Sequence, residues 1–548
     1  MYETLLVDNL TKTNHIPYDC CKLICDFLPP SHRFINAFWE FVKANSLELT
    51  KHQEDGFQWC IANEITPPSF NNSPISGGIV AYEMGLGKTI LMLGLMQVNP
   101  KQHTLIVVPT ILLGQWKKQI KEILNVKALV FHGTNYVSDE TINNNPIVLT
   151  TYGMVKKSLI ANMNWDRIIC DEAHHLRNSN SKKFENVSRL SASHRWLLTG
   201  TPVQNKKSDF HSLMKILGIN NRSRSTLQWV LENVYIEKRK EDVSWTSGQL
   251  PQLISHTINV PWSNNDEKQL SCELHRFINL KGESDEGHKF GLTTLETPVV
   301  QQPTPEDGPD NVINPQVITS QRLPVNGLRF FNPGTMMTTQ NGSIKLEWII
   351  KARQLCSYPK LMERNLLRPG KCAPFQSKTA ILEAIQHSSK MDAVISTLRE
   401  KANNGNRKVV FCQFRGEIDV VKTALIDDGI PENDIAVIDG RLTQTKRNSI
   451  LQTPIQFMII QIQTGSEGLN LQAYNEVFFL TPNWNPTVEA QAIARCHRHG
   501  QTKDVHCYHF IMSNLEVKSL DSYVEDTQEH KRRLARSVVS KATYENPR

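Results

Sequence analysis

Short apolar segments separated by longer stretches of helical periodicity run through most of this 548-residue chain. In both halves these segments are as short and as continuously apolar as the buried strands of a parallel sheet. The first group is Thr104–Val108, Ala128–Phe131, Ile147–Thr150, Arg167–Cys170 and Arg195–Leu198. The second group is Lys408–Phe411, Ile435–Ile438, Phe457–Ile460, Glu476–Leu480 and His506–Ile511. The pattern predicts an α/β protein with two units, each built on a parallel sheet flanked by helices.

The remaining segments predict a division of the chain into several parts. Residues 221–281 are predicted to be helical, and the stretch from Lys281 to about Gln340, with seven prolines and little periodicity, is predicted to be a flexible insertion. The predicted parts are an N-terminal helical extension (1–47), a first lobe (48–260), a helical protrusion and linker with a disordered insertion at about 281–340 (261–387), a second lobe (388–515) and a C-terminal basic helix (516–548).

Three charged or aromatic segments allow more than one interpretation. The charge run Ile236–Asp242 is more typical of a solvated face than of a binding patch. The tail ending at Arg536 is either a nuclear-localisation signal or a basic helix lying back over the core. A cluster of aromatic residues near the N-terminus is expected to pack against the next domain rather than bind a partner; it comprises Phe34, Phe38, Trp39 and Phe41.

Composition narrows the class of protein without defining its function. A hydrophobic content of 39% and a charged content of 21% are ordinary for a soluble globular chain. The sequence contains no apolar run of transmembrane length and no visible signal peptide, so we expect no membrane association and no secretion. No Cys-x-x-Cys pair occurs among the 11 cysteines, which excludes the common zinc-finger and RING spacings and indicates a reducing compartment. The net charge of +7 mildly favours a polyanionic partner.

The stretch Glu83-Met-Gly-Leu-Gly-Lys-Thr89 lies between an apolar segment and a helix-compatible run, the order found in a phosphate-binding loop. Backbone N–H groups of such a turn, at a helix N-terminus, converge on phosphate oxygens. Lys88 would reach the β- and γ-phosphates, and the Thr89 hydroxyl would bind Mg²⁺. The match is imperfect, because Tyr82 occupies the position of the first glycine in the strict pattern.

Other polar residues follow the predicted strands, where open α/β sheets bind their ligands. Asp171 can hold Mg²⁺ and Glu172 can deprotonate an attacking water. The alternative is that the two residues belong to a solvated turn with no catalytic role. Gln491, Arg495 and Arg498 have helical spacings that predict one shared face. Two arginines on that face indicate a phosphate site completed across a cleft; surface salt bridges are the alternative.

Taken in order, these stretches resemble the motifs of the SWI/SNF-type ATPases of helicase superfamily II. The matching stretches are Leu49-x-x-His-Gln53, Glu83-Met-Gly-Leu-Gly-Lys-Thr89, Leu105-Ile-Val-Val-Pro109 with Trp116, Thr150-Thr-Tyr152, Asp171-Glu-Ala-His174, Leu198-Thr-Gly-Thr-Pro-Val-Gln-Asn205, Val409-Val-Phe-Cys-Gln-Phe414, Thr464-Gly-Ser-Glu-Gly-Leu-Asn-Leu471, and Trp484-Asn-Pro486 through Gly500-Gln501. Two stretches are most similar to the branch that contains post-replication-repair translocases and a transcription termination factor: Asp171-Glu-Ala-His-His-Leu-Arg-Asn178 and Arg195-Trp-Leu-Leu-Thr-Gly-Thr-Pro202. The compact build is also similar to helicase-like proteins of large DNA viruses.

The resemblance implies two RecA-like lobes with ATP and Mg²⁺ in the cleft between them. The implied catalytic residues are Lys88, Glu172, Arg495 and Arg498, with Arg498 as the main arginine finger. The implied nucleotide-binding residues are Gln53 (adenine), Met84, Gly85, Leu86, Gly87, Lys88, Thr89, Gly468 and Gln491, and the implied metal ligands are Thr89 and Asp171. The implied DNA-contacting residues are Thr110, Thr151, Gln413, Thr464 and Trp484.

The resulting hypothesis is an ATP-driven translocase on double-stranded DNA that displaces or remodels bound proteins in repair, transcription or chromatin. Sequence-independent contacts with the DNA backbone, and RNA polymerase, replication or chromatin proteins as partners, belong to this hypothesis. So does a location in the nucleus or, for a viral protein, in a cytoplasmic factory or the virion. A strand-separating DNA or RNA helicase and a catalytically idle nucleic-acid-binding scaffold are the alternatives.

Overall fold

The computed structural model describes residues 30–47, 49–133, 138–204, 207–243, 250–278, 346–363, 378–442, 444–452, 454–465, 469–498 and 500–539. The predicted insertion at about 281–340 and the predicted nucleotide-binding residue Gly468 lie outside these ranges.

The first unit is built on a seven-stranded sheet in which all neighbouring strands are parallel. A two-stranded ribbon, β1 (Ser69–Phe70) and β2 (Ser73–Pro74), precedes it. The strands of the seven-stranded sheet are β3 (Gly77–Tyr82), β4 (Thr104–Val108), β5 (Leu129–Phe131), β6 (Ile147–Thr151), β7 (Asn164–Cys170), β8 (Ser191–Leu198) and β9 (Tyr235–Lys238). Across the sheet their order is β5-β6-β4-β7-β8-β3-β9, so β7, which precedes the predicted metal ligand, is the central strand, and β3, which precedes the predicted phosphate loop, lies two strands away from it.

Helices cover both faces of this sheet. Leu105 and Val107 belong to one buried cluster and Ile106 to the other, because successive side chains of a strand point to opposite faces. The helices are α1 (Pro30–Ala44), α2 (Lys51–Ile65), α3 (Lys88–Val98), α4 (Leu113–Leu124), α5 (Asp139–Asn143), α6 (Ser158–Ala161), α7 (Lys182–Ser188), α8 (Lys207–Ile216) and α9 (Arg224–Asn233).

The second unit contains a six-stranded parallel sheet in the order β10-β15-β14-β11-β13-β12. The strands are β10 (Leu253–Pro261), β11 (Lys408–Cys412), β12 (Ile435–Ile438), β13 (Phe457–Gln461), β14 (Glu476–Phe479) and β15 (Val505–Ser513). The helices are α10 (Asn265–Ile278), α11 (Leu346–Ser357), α12 (Lys378–Ala384), α13 (Ser389–Glu400), α14 (Arg415–Asp427), α15 (Gln444–Gln452), α16 (Ile462–Gly465), α17 (Pro486–Cys496) and α18 (Leu520–Val539). The predicted fold class, with its two parallel-sheet lobes, is confirmed.

The helical prediction for residues 221–281 is wrong at two strands. β9 pairs with β3 at the edge of the first sheet, and β10 pairs with β15 along nine residues at the edge of the second. Edge strands are half-solvated, so their polar and charged residues hid the strand signal. β10 lies in the second sheet, although the predicted first lobe extends to residue 260.

The flanking helices pack against the core. Phe38 of α1 is fully buried, and its ring stacks on Phe57 of α2 with the centroids 3.8 Å apart. The expected packing of the aromatic cluster is confirmed for Phe38 and Phe41, whereas Trp39 is exposed. At the other end of the chain, α18 lies back over the protein. Lys390 and Asp521 form a buried ion pair that anchors α18 to the second lobe, while Leu534 packs against the first-lobe core. No helix in the described ranges combines the length and apolarity needed to cross a membrane.

A buried ion pair joins α2 to the first sheet. Arg167 in the middle of β7 donates to both oxygens of Glu64 and to the carbonyl of Asn99. Trp196 Nε1 and Asn99 Nδ2 donate to the same carboxylate, at 2.8 and 2.7 Å. Because both charges are fully buried and hydrogen-bonded, removing one partner would leave an uncompensated buried charge.

Replacing Arg167 by methionine is therefore expected to lower the free energy of unfolding by about 3–5 kcal/mol. Urea denaturation of the variant and of the wild type measures the change. Arg189→Met is the matched control, since Arg189 forms a solvent-exposed pair with Glu185 and its removal should change the free energy by less than about 0.5 kcal/mol. Equal effects of the two substitutions would show that the buried Arg167–Glu64 pair contributes no more to stability than an exposed ion pair.

The same pair gives the stability a defined pH dependence. Burial opposes ionisation of Glu64, but the hydrogen bonds and charge of Arg167 outweigh it, and the pKa of this carboxyl is lowered. The stabilisation is thus fully present above the unfolded pKa of about 4.3 and is lost as the pH falls through the lower folded pKa. The difference in stability between wild type and Arg167→Met should stay constant near neutral pH and shrink in acid.

Candidate active site

The carboxyl ends of β3 and β7 in the first sheet bring the predicted nucleotide-binding residues together. The loop 83–87 connects β3 to the N-terminus of α3, and Asp171 follows β7 two positions away in the sheet. Gly85 and Gly87 have φ angles of +89° and +87°, a region that glycine adopts without steric cost. Gly200, after β8, lies against this loop, since a side chain there would meet Met84.

Tyr82 stabilises the base of the loop. Its carbonyl accepts a 2.6 Å hydrogen bond from Lys88 Nζ, and its buried hydroxyl donates to the carbonyl of His52 at 2.8 Å. Gly56 leaves room for the ring, because a Cβ at that position would lie 2.1 Å from the hydroxyl. Burial lowers the pKa of Lys88, while Glu172 and Asp171 oppose this shift. Tyr82 therefore replaces the first glycine of the strict pattern without displacing Lys88 from the phosphate loop.

Gln53 links α2 to the phosphate loop. Its Oε1 accepts from the backbone N–H of Thr50 at 2.9 Å, as in a capping box, and its Nε2 donates to the carbonyl of Leu86 at 3.3 Å. His52 Nε2 donates to the same carbonyl at 3.2 Å. Gln53 lines the cavity as predicted, but both ends of its amide contact protein; its role in adenine recognition stays a prediction.

Gly87→Ala is expected to weaken binding of an ATP analogue by about tenfold. The new Cβ would lie 2.0 Å from Gln53 Nε2 and would displace an amide held at both ends. Gly133→Ala is the matched control, because Gly133 has a φ of +79° but none of the described residues has an atom within 4 Å of its Cβ position. Both variants carry the same backbone strain of about 1–2 kcal/mol. Titration with a fluorescent analogue measures the difference; equal affinities would exclude the role of the Gln53 contact.

Asp171 and Glu172 occupy a rigid, buried turn. Trp116 Nε1 donates to Asp171 Oδ2 at 2.8 Å, the N–H of Glu172 donates to Oδ1 at 2.8 Å, and Tyr152 donates to the Asp171 carbonyl at 2.7 Å. Glu172 has a φ of +50°, which costs a non-glycine residue about 1–3 kcal/mol and is characteristic of functional sites. The turn thus stores strain to direct two carboxylates into the cavity.

The environment separates the acidities of the two carboxyl groups. Burial and the neighbouring charge of Glu172 raise the pKa of Asp171. Burial also opposes ionisation of Glu172, but His174, whose Nδ1 lies 3.2 Å from Oε2, together with Lys88 and Arg495, lowers its pKa. Glu172 is therefore an ionised carboxylate near neutral pH and can accept a proton.

The donor set at this position fits Mg²⁺. The Thr89 hydroxyl and the Asp171 carboxylate are hard oxygen donors that line the same cavity. Within the described ranges no group of three or more His, Cys, Asp or Glu residues could enclose a metal. Magnesium commonly takes one or two protein oxygens and completes its shell with water and phosphate, so two protein donors are sufficient.

The second lobe closes the cavity, which has a volume of about 290 Å³. Arg495 lies at the end of α17, and Arg498 follows two residues beyond the helix. The Cβ of Arg498 lies 3.8 Å from the position a Cβ would take at Gly85, and burial lowers the pKa of Arg498. The residues that line the cavity are Thr50, His52, Gln53, Met84, Gly85, Leu86, Gly87, Lys88, Thr89, Ile90, Leu112, Gln115, Gln119, Asp171, Glu172, Ala494, Arg495 and Arg498.

One detail of the arginine prediction is wrong. Gln491, Arg495 and Arg498 do not share a helical face, because α17 ends at Cys496 and the chain turns at His497. Gln491 is buried in α17 and is absent from the cavity lining, whereas both arginines reach it. The turn after the helix, rather than helical spacing, directs Arg498 to the loop.

Sequence reasoning missed two glutamines of α4. Gln115 and Gln119 both line the cavity, and Gln119 Oε1 is buried without a hydrogen-bond partner among the described residues. Their spacing of four residues on an amphipathic helix places them on one face, flanking the Trp116 side that faces Asp171. That spacing was the available signal.

The predicted DNA-contacting residues lie at the carboxyl edges of the two sheets. Thr110 follows β4 and Thr151 ends the adjacent β6, while Gln413, Thr464 and Trp484 follow the neighbouring strands β11, β13 and β14. Thr110 is exposed, but Thr151 is buried and lies 3.4 Å from His132. The Trp484 ring packs edge-on against Tyr523 of α18, with centroids 6.1 Å apart. The DNA contacts stay predictions, and Trp484 has a structural partner.

Two family models match the chain, together covering more than half of it. A SNF2-related domain matches residues 52–229, and a helicase conserved C-terminal domain matches residues 389–500. All the residues that line the cavity, except Thr50, lie within these two ranges.

Several curated proteins are similar to the chain. The probable global transactivator of Orgyia pseudotsugata multicapsid polyhedrosis virus is 24% identical over 90% of this chain and 92% of its own length. The DNA excision repair protein ERCC-6-like of Danio rerio is 26% identical over 85% of this chain, and DNA repair protein RAD5 of Candida albicans is 23% identical over 85%. The chain spans only 34% and 56% of those two proteins.

The order of the motifs, the two parallel-sheet lobes and the matching family models agree with one another. The chain belongs to the SNF2-related, SWI/SNF-type ATPases of helicase superfamily II.

Proposed function

We propose that this protein is an ATP-driven translocase on double-stranded DNA that displaces or remodels DNA-bound proteins. The observation that carries the proposal is one cavity lined by the phosphate loop and acidic pair of the first lobe and by Arg495 and Arg498 of the second. Because the second lobe contributes charge to the cavity, nucleotide binding and hydrolysis are coupled to the relative position of the lobes.

The protein groups provide the elements needed for phosphoryl transfer to water. The N–H groups of the loop and Lys88 bind the phosphates at the N-terminus of α3. Glu172, ionised and held by its turn, orients water and accepts its proton. Arg495 and Arg498 neutralise charge that develops on the transferred group. Thr89 and Asp171 would hold Mg²⁺, which would supply positive charge that stabilises the phosphates.

The DNA path is proposed across the carboxyl edges of both sheets. Thr110 on the first lobe, and Gln413 and Thr464 on the second, supply polar groups suited to sugar–phosphate contacts, whereas the side chain of Thr151 is buried. Such contacts carry little sequence information, so binding should be largely sequence-independent and should weaken steeply with salt. Closure of the cleft around ATP would change the separation of the two DNA-contacting edges, which is the movement a translocase needs.

The biological context follows from this activity in broad terms. Two of the similar proteins carry names that refer to DNA repair, and a third is named a global transactivator. These names support a DNA-containing compartment, either the nucleus or a viral factory or virion, and partners among RNA polymerase, replication or chromatin proteins.

Displacement of a third strand tests directional movement. A duplex carrying a triplex-forming oligonucleotide should lose that strand when wild-type protein and ATP are added, but not with ADP. Glu172→Gln is the matched control, because it should bind duplex without turning over. ATP hydrolysis without displacement would contradict the translocase. Separation of the two strands of a plain duplex would instead support a helicase, and nucleotide binding without turnover would support a scaffold.

A further inference from the structure

Lys240 lies in a short turn after β9, at the boundary between the two lobes. Its backbone N–H donates to Glu83 Oε2 at 2.9 Å, and its Nζ donates to the carbonyl of His497 at 2.8 Å. Glu83 is the first residue of the phosphate loop, and His497 immediately precedes Arg498. One residue therefore contacts both the nucleotide-binding loop and the segment that presents the arginine.

The environment of Lys240 differs from that of its neighbours. The charge run 236–242 was expected to form a solvated face, and Arg239 does pair with Glu237 and Glu241 at the surface. Lys240 instead turns into the interface. Burial lowers its pKa, Glu83 opposes the shift, and the cations Arg498 and Lys88 lower it further. A flexible lysine would avoid that position unless its contacts held it there.

The segment that Lys240 contacts determines where Arg498 points. His497 is the C-cap of α17, and its N–H donates to Ile493 at 2.8 Å. The ammonium thus meets a carbonyl at the negative end of the helix, an arrangement that is electrostatically favourable. The His497 ring donates to the carbonyl of Pro251 at 2.7 Å, which fixes the other side of the residue. With both contacts made, the chain leaves the helix toward Gly85.

We propose that Lys240 is a positioning residue that holds the His497–Arg498 turn against the phosphate loop and so aligns Arg498 when the cleft is closed. The inference rests on the proposed ATPase activity. Lys240 does not line the nucleotide cavity, so it acts through the His497 carbonyl and through Glu83 rather than on the nucleotide itself. Losing the tether lowers the fraction of closed molecules in which Arg498 is aligned.

The tether should affect turnover more than nucleotide affinity. Misplacement of a catalytic group by about 1 Å can cost up to about 10²-fold in rate. Lys240→Met is expected to lower kcat by about 10- to 30-fold and to change KM for ATP by less than about threefold. Lys240→Arg keeps a donor of similar reach and should recover part of the rate. Arg239→Gln, in the same turn, removes only surface ion pairs and should keep the wild-type rate.

A double-mutant cycle with Arg498→Ala separates positioning from a structural role. If Lys240 acts through Arg498, adding Lys240→Met to Arg498→Ala should lower kcat by less than about twofold. Multiplication of the two single effects would overturn the inference, as would a full loss of rate in Arg239→Gln. Thermal unfolding detects a folding defect in Lys240→Met. In that case the same double-mutant cycle is measured with Lys240→Arg in its place. Absence of turnover in the wild type would contradict the proposed function itself. Multiplication of the two single effects in an active enzyme would contradict only the positioning role of Lys240.

Discussion

Replacing Arg498 by alanine is expected to lower DNA-stimulated ATP hydrolysis by about 10³-fold or more. The side chain enters the cavity from the second lobe and faces the phosphate loop at Gly85. An arginine that reaches the γ-phosphate only when the lobes are closed stabilises the transition state more than the bound ground state. The loss should therefore fall on kcat and leave KM within a few-fold of its wild-type value.

Steady-state kinetics at saturating duplex DNA measure this effect. Arg399→Ala is the matched control, because Arg399 belongs to the same lobe but forms a solvent-exposed pair with Asp428. Its rate should equal that of the wild type. A loss of less than about tenfold in Arg498→Ala would contradict its assignment as the main arginine finger. A larger loss in Arg495→Ala would then assign that role to Arg495, whose charge influences the pKa values of Glu172 and Lys88.

Glu172→Gln is expected to lower kcat by about 10²–10⁴-fold while nucleotide and DNA binding persist. The substitution keeps the size of the side chain and removes the ionised oxygen that accepts the proton of water. The contacts that hold Asp171 come from Trp116, Tyr152 and the backbone N–H of residue 172, so the metal ligand should keep its place.

Single-turnover hydrolysis and analogue titration together measure the separation of binding from chemistry. Glu185→Gln, which changes an exposed partner of Arg189, is the control and should behave as wild type. Wild-type turnover in Glu172→Gln would mean that another group accepts the proton. Loss of analogue binding would instead mean that the substitution had disturbed the turn at φ +50°.

The core strands were predictable because burial on both faces leaves a direct signal in the sequence. The runs Leu105–Val108 and Phe457–Ile460 are continuously apolar, and each lies in a strand that has a neighbouring strand on both sides. β9 and β10 lack this signal because each mixes polar or charged residues with apolar ones and is only partly buried. Whether β10 joins the first or the second sheet depends on pairing with β15, some 250 residues away in the chain.

The active-site residues were predictable where the chemistry lies in contiguous sequence. The phosphate loop and the Asp171–Glu172 turn are local motifs, and the structure brings both to one cavity. Contacts between distant segments leave no such pattern. The hydrogen bond from Lys240 to His497 joins residues 257 positions apart, and the contact of Gln53 with Leu86 depends on the packing of α2 against the loop. The position of Arg498 beyond the end of α17 likewise depends on a local turn that helical spacing misses.

The decisive measurement is the ATPase rate of the wild-type protein without nucleic acid and with duplex DNA, single-stranded DNA and RNA. If the protein is a translocase on double-stranded DNA, we expect strong stimulation by duplex DNA, weaker stimulation by single-stranded DNA and RNA, and loss of the stimulated rate in Glu172→Gln and Arg498→Ala. Equal or greater stimulation by RNA, or no turnover with any nucleic acid, would contradict it.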